Sequence, residues 1–154
     1  MSEKLVVYDS VFGNTAKVAE AIGEALGDAS VNKVTEVSQK DLHNITVLFV
    51  GSPTRAFRPT PGTMSFLKGL NHTALSGVKT AAFDTRFPLD QTESGFLRTM
   101  IKLFGYADIK ISKALSKAGA TLPFENSGFA VKDTEGPLAE GELERAKTWA
   151  KTLL

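Results

Sequence analysis

The feature that most constrains the fold is a pair of short, unbroken apolar runs, Leu5-Val6-Val7-Tyr8 and Thr46-Val47-Leu48-Phe49-Val50, each leading directly into a turn-prone loop. A strand with one wet face alternates apolar and polar residues, whereas an unbroken run belongs to a strand covered on both sides. Covering both sides requires helices, and the chain has them at the right spacing. Val18, Ala19, Ile22 and Leu26 recur at helical intervals within residues 16–26, which predicts the unit strand, loop, helix.

The alternation continues along the 154 residues. A weaker strand is predicted over residues 31–37, a helix over 63–70 and a strand over 78–83. The stripe Leu97, Ile101, Phe104, Ile111, Leu115 and Ala118 is interrupted at Gly105 and Asp108, where a break is expected, and stops at Gly119. Residues 120–122 and 129–131 read as two pieces of a last strand. The closing helix, over 140–153, turns Leu143, Ala146, Trp149, Ala150 and Leu153 inward. Five strands alternating with helices predict one α/β domain over residues 1–154, a three-layer sandwich around a parallel sheet. Ligands of such folds sit beyond the carboxyl ends of the strands.

Composition removes several chemistries. The chain has no cysteine, which excludes disulfides, zinc-thiolate sites, iron–sulfur ligation and cysteine nucleophiles. His43 and His72 stand apart with no carboxylate cluster beside them, so no metal site is expected. The 18 Lys and Arg nearly balance 17 Asp and Glu, which gives no net field for nucleic acid or an anionic membrane. No apolar run approaches the roughly 20 residues of a membrane span. A cytoplasmic protein is expected, monomeric, with a dimer as the alternative.

The richest segment chemically is Asp9-Ser10-Val11-Phe12-Gly13-Asn14-Thr15, between the first strand and the first helix. Ser10 and Thr15 bring hydroxyls, Asn14 an amide, and Gly13 a tight turn, and the helix that follows aims free N–H groups and its positive end at the loop. The segment lacks the Gly-Lys-Ser/Thr ending of a nucleoside-triphosphate loop and the three-glycine dinucleotide fingerprint, so a monophosphate suits it better. Ser10 and Thr15 as plain helix caps are the alternative.

On these residues the chain resembles the flavodoxin family. Val6, Val7, Tyr8, Ser10, Gly13, Thr15, Ala19 and Ile22 fill every place of that family's first-loop signature. Gly51-Ser52-Pro53-Thr54 and Ala82-Phe83-Asp84-Thr85 are similar to its two flavin-gripping loops. The resemblance implies FMN as cofactor, strand order 2-1-3-4-5, and electron transfer between redox partner proteins. It implies a phosphate site at Ser10, Val11, Phe12, Gly13, Asn14 and Thr15. The ring is then expected between Pro53, Thr54, Arg55, Ala56 and Phe57 on one side and a loop of Asp84, Thr85, Arg86 and Phe87 on the other, with Phe57 or Phe87 stacking on it or packing in the core.

Two departures bear on function. Flavodoxins are usually acidic, whereas this chain places Arg55 and Arg58 beside the expected ring, pointing to a different partner chemistry. Thr54-Arg55-Ala56-Phe57 also resembles a loop of flavodoxin-like quinone reductases, with Ala56 inserted, which makes an NAD(P)H-dependent quinone or small-molecule reductase the alternative. The resemblance also implies a peptide in this loop that turns over on one-electron reduction of the flavin, eased by glycine in flavodoxins that carry one there; the tip here has none, so Ala56 is where strain in the turned-over form is expected. Residues 86–106 are longer than a flavin loop needs, and their apolar residues either pack a helix on the sheet or form a lid or docking helix.

Overall fold

In a computed structural model, which describes residues 3–88, 94–123 and 125–153, the sheet is built from β1 (Lys4–Tyr8), β2 (Ala29–Lys33), β3 (Val47–Pro53), β4 (Lys79–Arg86) and β5 (Ser127–Ala130). All four pairings are parallel and the order is 2-1-3-4-5. The helices are α1 (Asn14–Leu26), α2 (Pro61–Lys68), α3 (Gly95–Phe104), α4 (Ala107–Lys117) and α5 (Glu142–Lys151).

The apolar runs do what their pattern requires. Leu5, Val7, Leu48 and Val50 point to one face, where Leu67 of α2 and Ala107, Ile111 and Leu115 of α4 cover them. Val6 and Phe49 point to the other, against Val18, Ala19 and Ile22 of α1 and Ala146 and Ala150 of α5. Trp149 packs edge-on against Phe49, Phe83 and Phe129, with ring centroids 5.3 to 6.3 Å away. Leu143, expected inward, is 38% exposed in the first turn of α5.

Differences from the predicted elements have local causes. Strand β2 starts and stops earlier than expected, because Lys33 pairs with Tyr8, the last residue of β1. Beyond it Val34 turns into the core within a 3-10 helix. Strand β4 runs on to Arg86, because Pro53 of β3 and Ala130 of β5 are still there to pair with Thr85 and Arg86. Asp84, Thr85 and Arg86 are therefore strand residues and not the loop expected from the sequence. The break at Gly105 is real, with φ 73°. Helix α4 beyond it packs on the sheet, while Phe96, Leu103 and Phe104 of α3 are exposed. Residues 89–93 of that long segment and the side chain of Leu97 lie outside the described residues.

The turn after β3 shapes one wall of the future site. The Arg55 N–H donates to the Arg58 carbonyl at 2.8 Å and the Arg58 N–H to the Arg55 carbonyl at 3.1 Å, closing a two-residue hairpin. Its central residues, Ala56 at φ 49° and Phe57 at φ 66°, are both left-handed, as in a type I′ turn, where glycine and asparagine are the usual occupants. Each side chain there costs about 1–2 kcal/mol. The Phe57 ring is held against Phe104, centroids 6.2 Å apart. After the greater chain entropy of glycine is subtracted, Ala56→Gly is expected to raise stability by roughly 0.5–1 kcal/mol in urea unfolding. An unchanged midpoint would show that the turn carries no strain at Ala56.

Candidate functional site

At the carboxyl ends of β1, β3 and β4 lies a cleft of about 250 Å³. Ser10, Val11, Phe12, Asn14 and Thr15 line it from the first loop, Pro53, Thr54, Arg55 and Ala56 from the turn after β3, and Thr85, Arg86 and Phe87 from the end of β4. The sequence reading thus converges on one place for twelve of its fifteen candidates. Gly13, Phe57 and Asp84 are not on the lining. Val131 and Thr134, which are, went unnoticed. They follow β5, and the rule that ligands sit beyond strand ends could have found them, since every loop at that end of the sheet is a candidate wall.

The first loop is held by its own side chains. Gly13, at φ 95°, takes the left-handed turn into α1. Ser10 Oγ accepts the N–H groups of Gly13 at 3.1 Å and Ala16 at 3.4 Å, which leaves its own proton free to donate. The Asn14 amide donates to the Glu135 carbonyl at 3.1 Å, tying this loop to the one after β5. Among the described residues, the backbone N–H groups of Val11, Phe12, Asn14 and Thr15 have no protein acceptor. No carboxylate lines the cleft among those residues, and Arg55 and Arg86 do, the latter with its guanidinium paired to Asp84 behind the wall. Unsatisfied donors at a helix start, on a lining that includes Arg55 and no carboxylate, make a site for an anion. The FMN monophosphate fits that donor set.

Two links, one buried and one half-buried, join the walls. Thr15 Oγ1 and Thr85 Oγ1 are 2.8 Å apart, so one hydroxyl donates to the other and the second proton is left for a ligand. Asp9 accepts the Ser10 N–H at 2.9 Å on one carboxylate oxygen and the Thr60 hydroxyl at 2.5 Å on the other. Thr60 caps α2 by accepting the Thr63 N–H, and its own N–H donates to Ser52 Oγ at 3.0 Å. The first loop and the segment after β3 therefore share one carboxylate.

Asp84 serves the site from behind. Its carboxylate is fully buried and takes two 2.6 Å hydrogen bonds from Arg86 and one of 3.1 Å from the Asp108 N–H. Arg86 also lies 3.3 Å from Asp108 and stacks 3.8 Å over the Tyr106 ring. Gly128 makes the room, since a Cβ there would stand 2.1 Å from the guanidinium. Burial pushes the Asp84 carboxyl up to about 7, against the pull of Arg86. The folded chain then holds this proton up to about pH 7 and the unfolded chain only to about 4, so the stability this group contributes is full at low pH and is lost as pH rises through that window. The advantage of wild type over Asp84→Asn is expected to shrink between about pH 4 and pH 7 in urea unfolding. A gap that widens with pH would make the ionised form the stabilising one.

Among the described residues no helix is long and apolar enough to cross a membrane, and no group of three or more acidic or histidine side chains could hold a metal. No curated protein matches the chain. An archaeal flavodoxin shares 22% identity at a TM-score of 0.74, over 97% of this chain and 94% of its own. A short-chain flavodoxin associated with a bacterial microcompartment shares 19% at 0.73, over 99% and 97%. Oxidised flavodoxin 1 from Bacillus cereus shares 15% at 0.72, over 95% and 92%. At such identities these likenesses establish the fold alone. The flavodoxin family model, however, matches residues 6–149, nearly the whole chain. The chain belongs to the flavodoxin family, whose proteins bind FMN.

Proposed function

We propose that the cleft holds FMN and that the protein carries electrons between redox partner proteins. The observation that carries this reading is the set of unpartnered N–H groups at Val11, Phe12, Asn14 and Thr15, opening on a cleft with no carboxylate among the described residues. With the Ser10 hydroxyl they supply donors for the oxygens of a monophosphate, and the start of α1 adds its positive end. Pro53, Thr54, Arg55 and Ala56 on one wall and Thr85, Arg86 and Phe87 on the other bound the slot for the ring. Gly13, Asp84 and Phe57 act indirectly: Gly13 turns the loop, Asp84 holds Arg86, and Phe57 anchors the turn tip. When bound, the flavin supplies the exchange of one or two electrons. The chain binds and orients it, and leaves the slot's mouth, edged by the half-exposed Val11 and Phe12, open to a partner.

The purified chain is expected to take up FMN and to bind a dinucleotide such as FAD less tightly, as read by fluorescence titration. Thr15→Ala removes a hydroxyl from the cleft and leaves Thr85 without its partner, so FMN binding is expected to weaken by roughly 1–3 kcal/mol. Equal affinities would take Thr15 out of the site.

The arginines of the turn tip should select partners without holding the fold. Neither forms an ion pair among the described residues, and Arg55 lies 5.6 Å over the exposed Phe12 ring. Replacing both by Glu is expected to change electron-transfer rates with charged partners, and their salt dependence, while stability moves by no more than about 0.5 kcal/mol. Constant rates alongside a loss of several kcal/mol would make the pair structural.

A further inference from the structure

The near-zero net charge conceals an uneven distribution along the chain. Residues 54–119 carry ten Lys and Arg against four Asp and Glu, and the rest of the chain eight against thirteen. The helices of the first group that pack on the sheet, α2 and α4, cover the same face. Between them lies a second cavity of about 400 Å³, lined by Arg58, Lys68 and Lys110 together with Pro61, Met64 and Ser65. No carboxylate lines it among the described residues, and none of its three cations has an ion-pair partner among them. The hairpin turn lies between it and the cleft, because Arg55 and Ala56 line the cleft and Arg58 lines the cavity.

We propose that this cavity and the α4 surface beside it are the docking site for the acidic surface of a redox partner, whose carboxylates seat among Arg58, Lys68 and Lys110. The inference rests on the electron-carrier reading and names the partner's chemistry. Two observations favour a protein over a small phosphorylated ligand. The positive charge continues past the cavity along α4 through the exposed Lys113 and Lys117, at helical spacing from Lys110, farther than a small anion reaches. The walls between the cations are proline, methionine and serine, with no aromatic ring to stack a nucleobase. Complementary charge steers association from about a Debye length away, so the site brings the partner up beside the turn tip, next to the slot's open mouth.

The test is a ¹H–¹⁵N chemical-shift titration of the isotope-labelled full chain with an acidic [2Fe–2S] ferredoxin, with basic cytochrome c, and with NADPH and inorganic phosphate. The expected result is saturable perturbation of Arg58, Met64, Lys68 and Lys110 by the ferredoxin, weakening as salt rises. The double variant Lys68→Glu, Lys110→Glu is expected to bind it at least about tenfold more weakly. Perturbation of these residues by NADPH or phosphate but not by ferredoxin would make the cavity a small-anion site and overturn the proposal. A stronger response to cytochrome c, or ferredoxin binding unaffected by the double variant, would overturn it too. Unfolding of the double variant is checked by its own spectrum, and Lys113→Glu, Lys117→Glu on the outer turns of α4 then reads the same salt-dependent loss. FMN affinity is measured in parallel on each protein: absence of FMN binding by wild type sinks the cofactor reading, while the shift titration still decides the docking site.

Discussion

The architecture depends on the burial of β1 and β3 on both faces. A strand covered on both sides can meet a ligand only at its end, and in a parallel sheet all the useful ends point the same way. Leu5 through Val7 and Leu48 through Val50 are fully buried, and β1 releases its chain beside Gly51, two residues before β3 ends at Pro53, so that the first loop and the turn after β3 emerge at the same end of the sheet. The cleft is therefore a consequence of strand order: β1 and β3 are neighbours, and the chain leaves them toward helices on opposite faces, α1 and α2. The loops must part, and the gap between them is the site.

How much of this was legible in the sequence depended on whether a feature was local. The periodicity of Val18 to Leu26 and the apolar runs are local, and they located α1, β1 and β3 closely. The first loop is local too, and Ser10, Val11, Phe12, Asn14 and Thr15 line the cleft, while Gly13, which has only its backbone to offer, does not. Features that depend on pairing were hidden. Nothing within residues 31–37 says that β1 ends at Tyr8 and strips β2 of its partner, and nothing within residues 78–86 says that β3 and β5 extend far enough to keep β4 a strand. The inward turn of Asp84 was hidden for the same reason, since it needs Arg86, the Asp108 N–H and the absence of a side chain at Gly128, over forty residues away. Leu143 and the apolar residues of α3 show the converse, as helical spacing identifies a face without saying that anything covers it.

Charge shows why composition is a weak guide to partners. An overall +1 excludes a strong global field, yet residues 54–119 carry an excess of positive charge, and Lys68, Lys110, Lys113 and Lys117 of that segment lie on α2 and α4. A protein of this family can in this way keep its fold and its cleft while reversing the kind of surface it presents beside them.

The shared carboxylate of Asp9 has a consequence for motion. Most loops around a cleft can loosen independently, each at its own cost. Here the Ser10 N–H and the Thr60 hydroxyl end on opposite oxygens of one side chain, so freeing either loop strips a half-buried carboxylate of half its hydrogen bonds. The two walls should breathe as one cooperative unit, and their amides should exchange with solvent at matched rates.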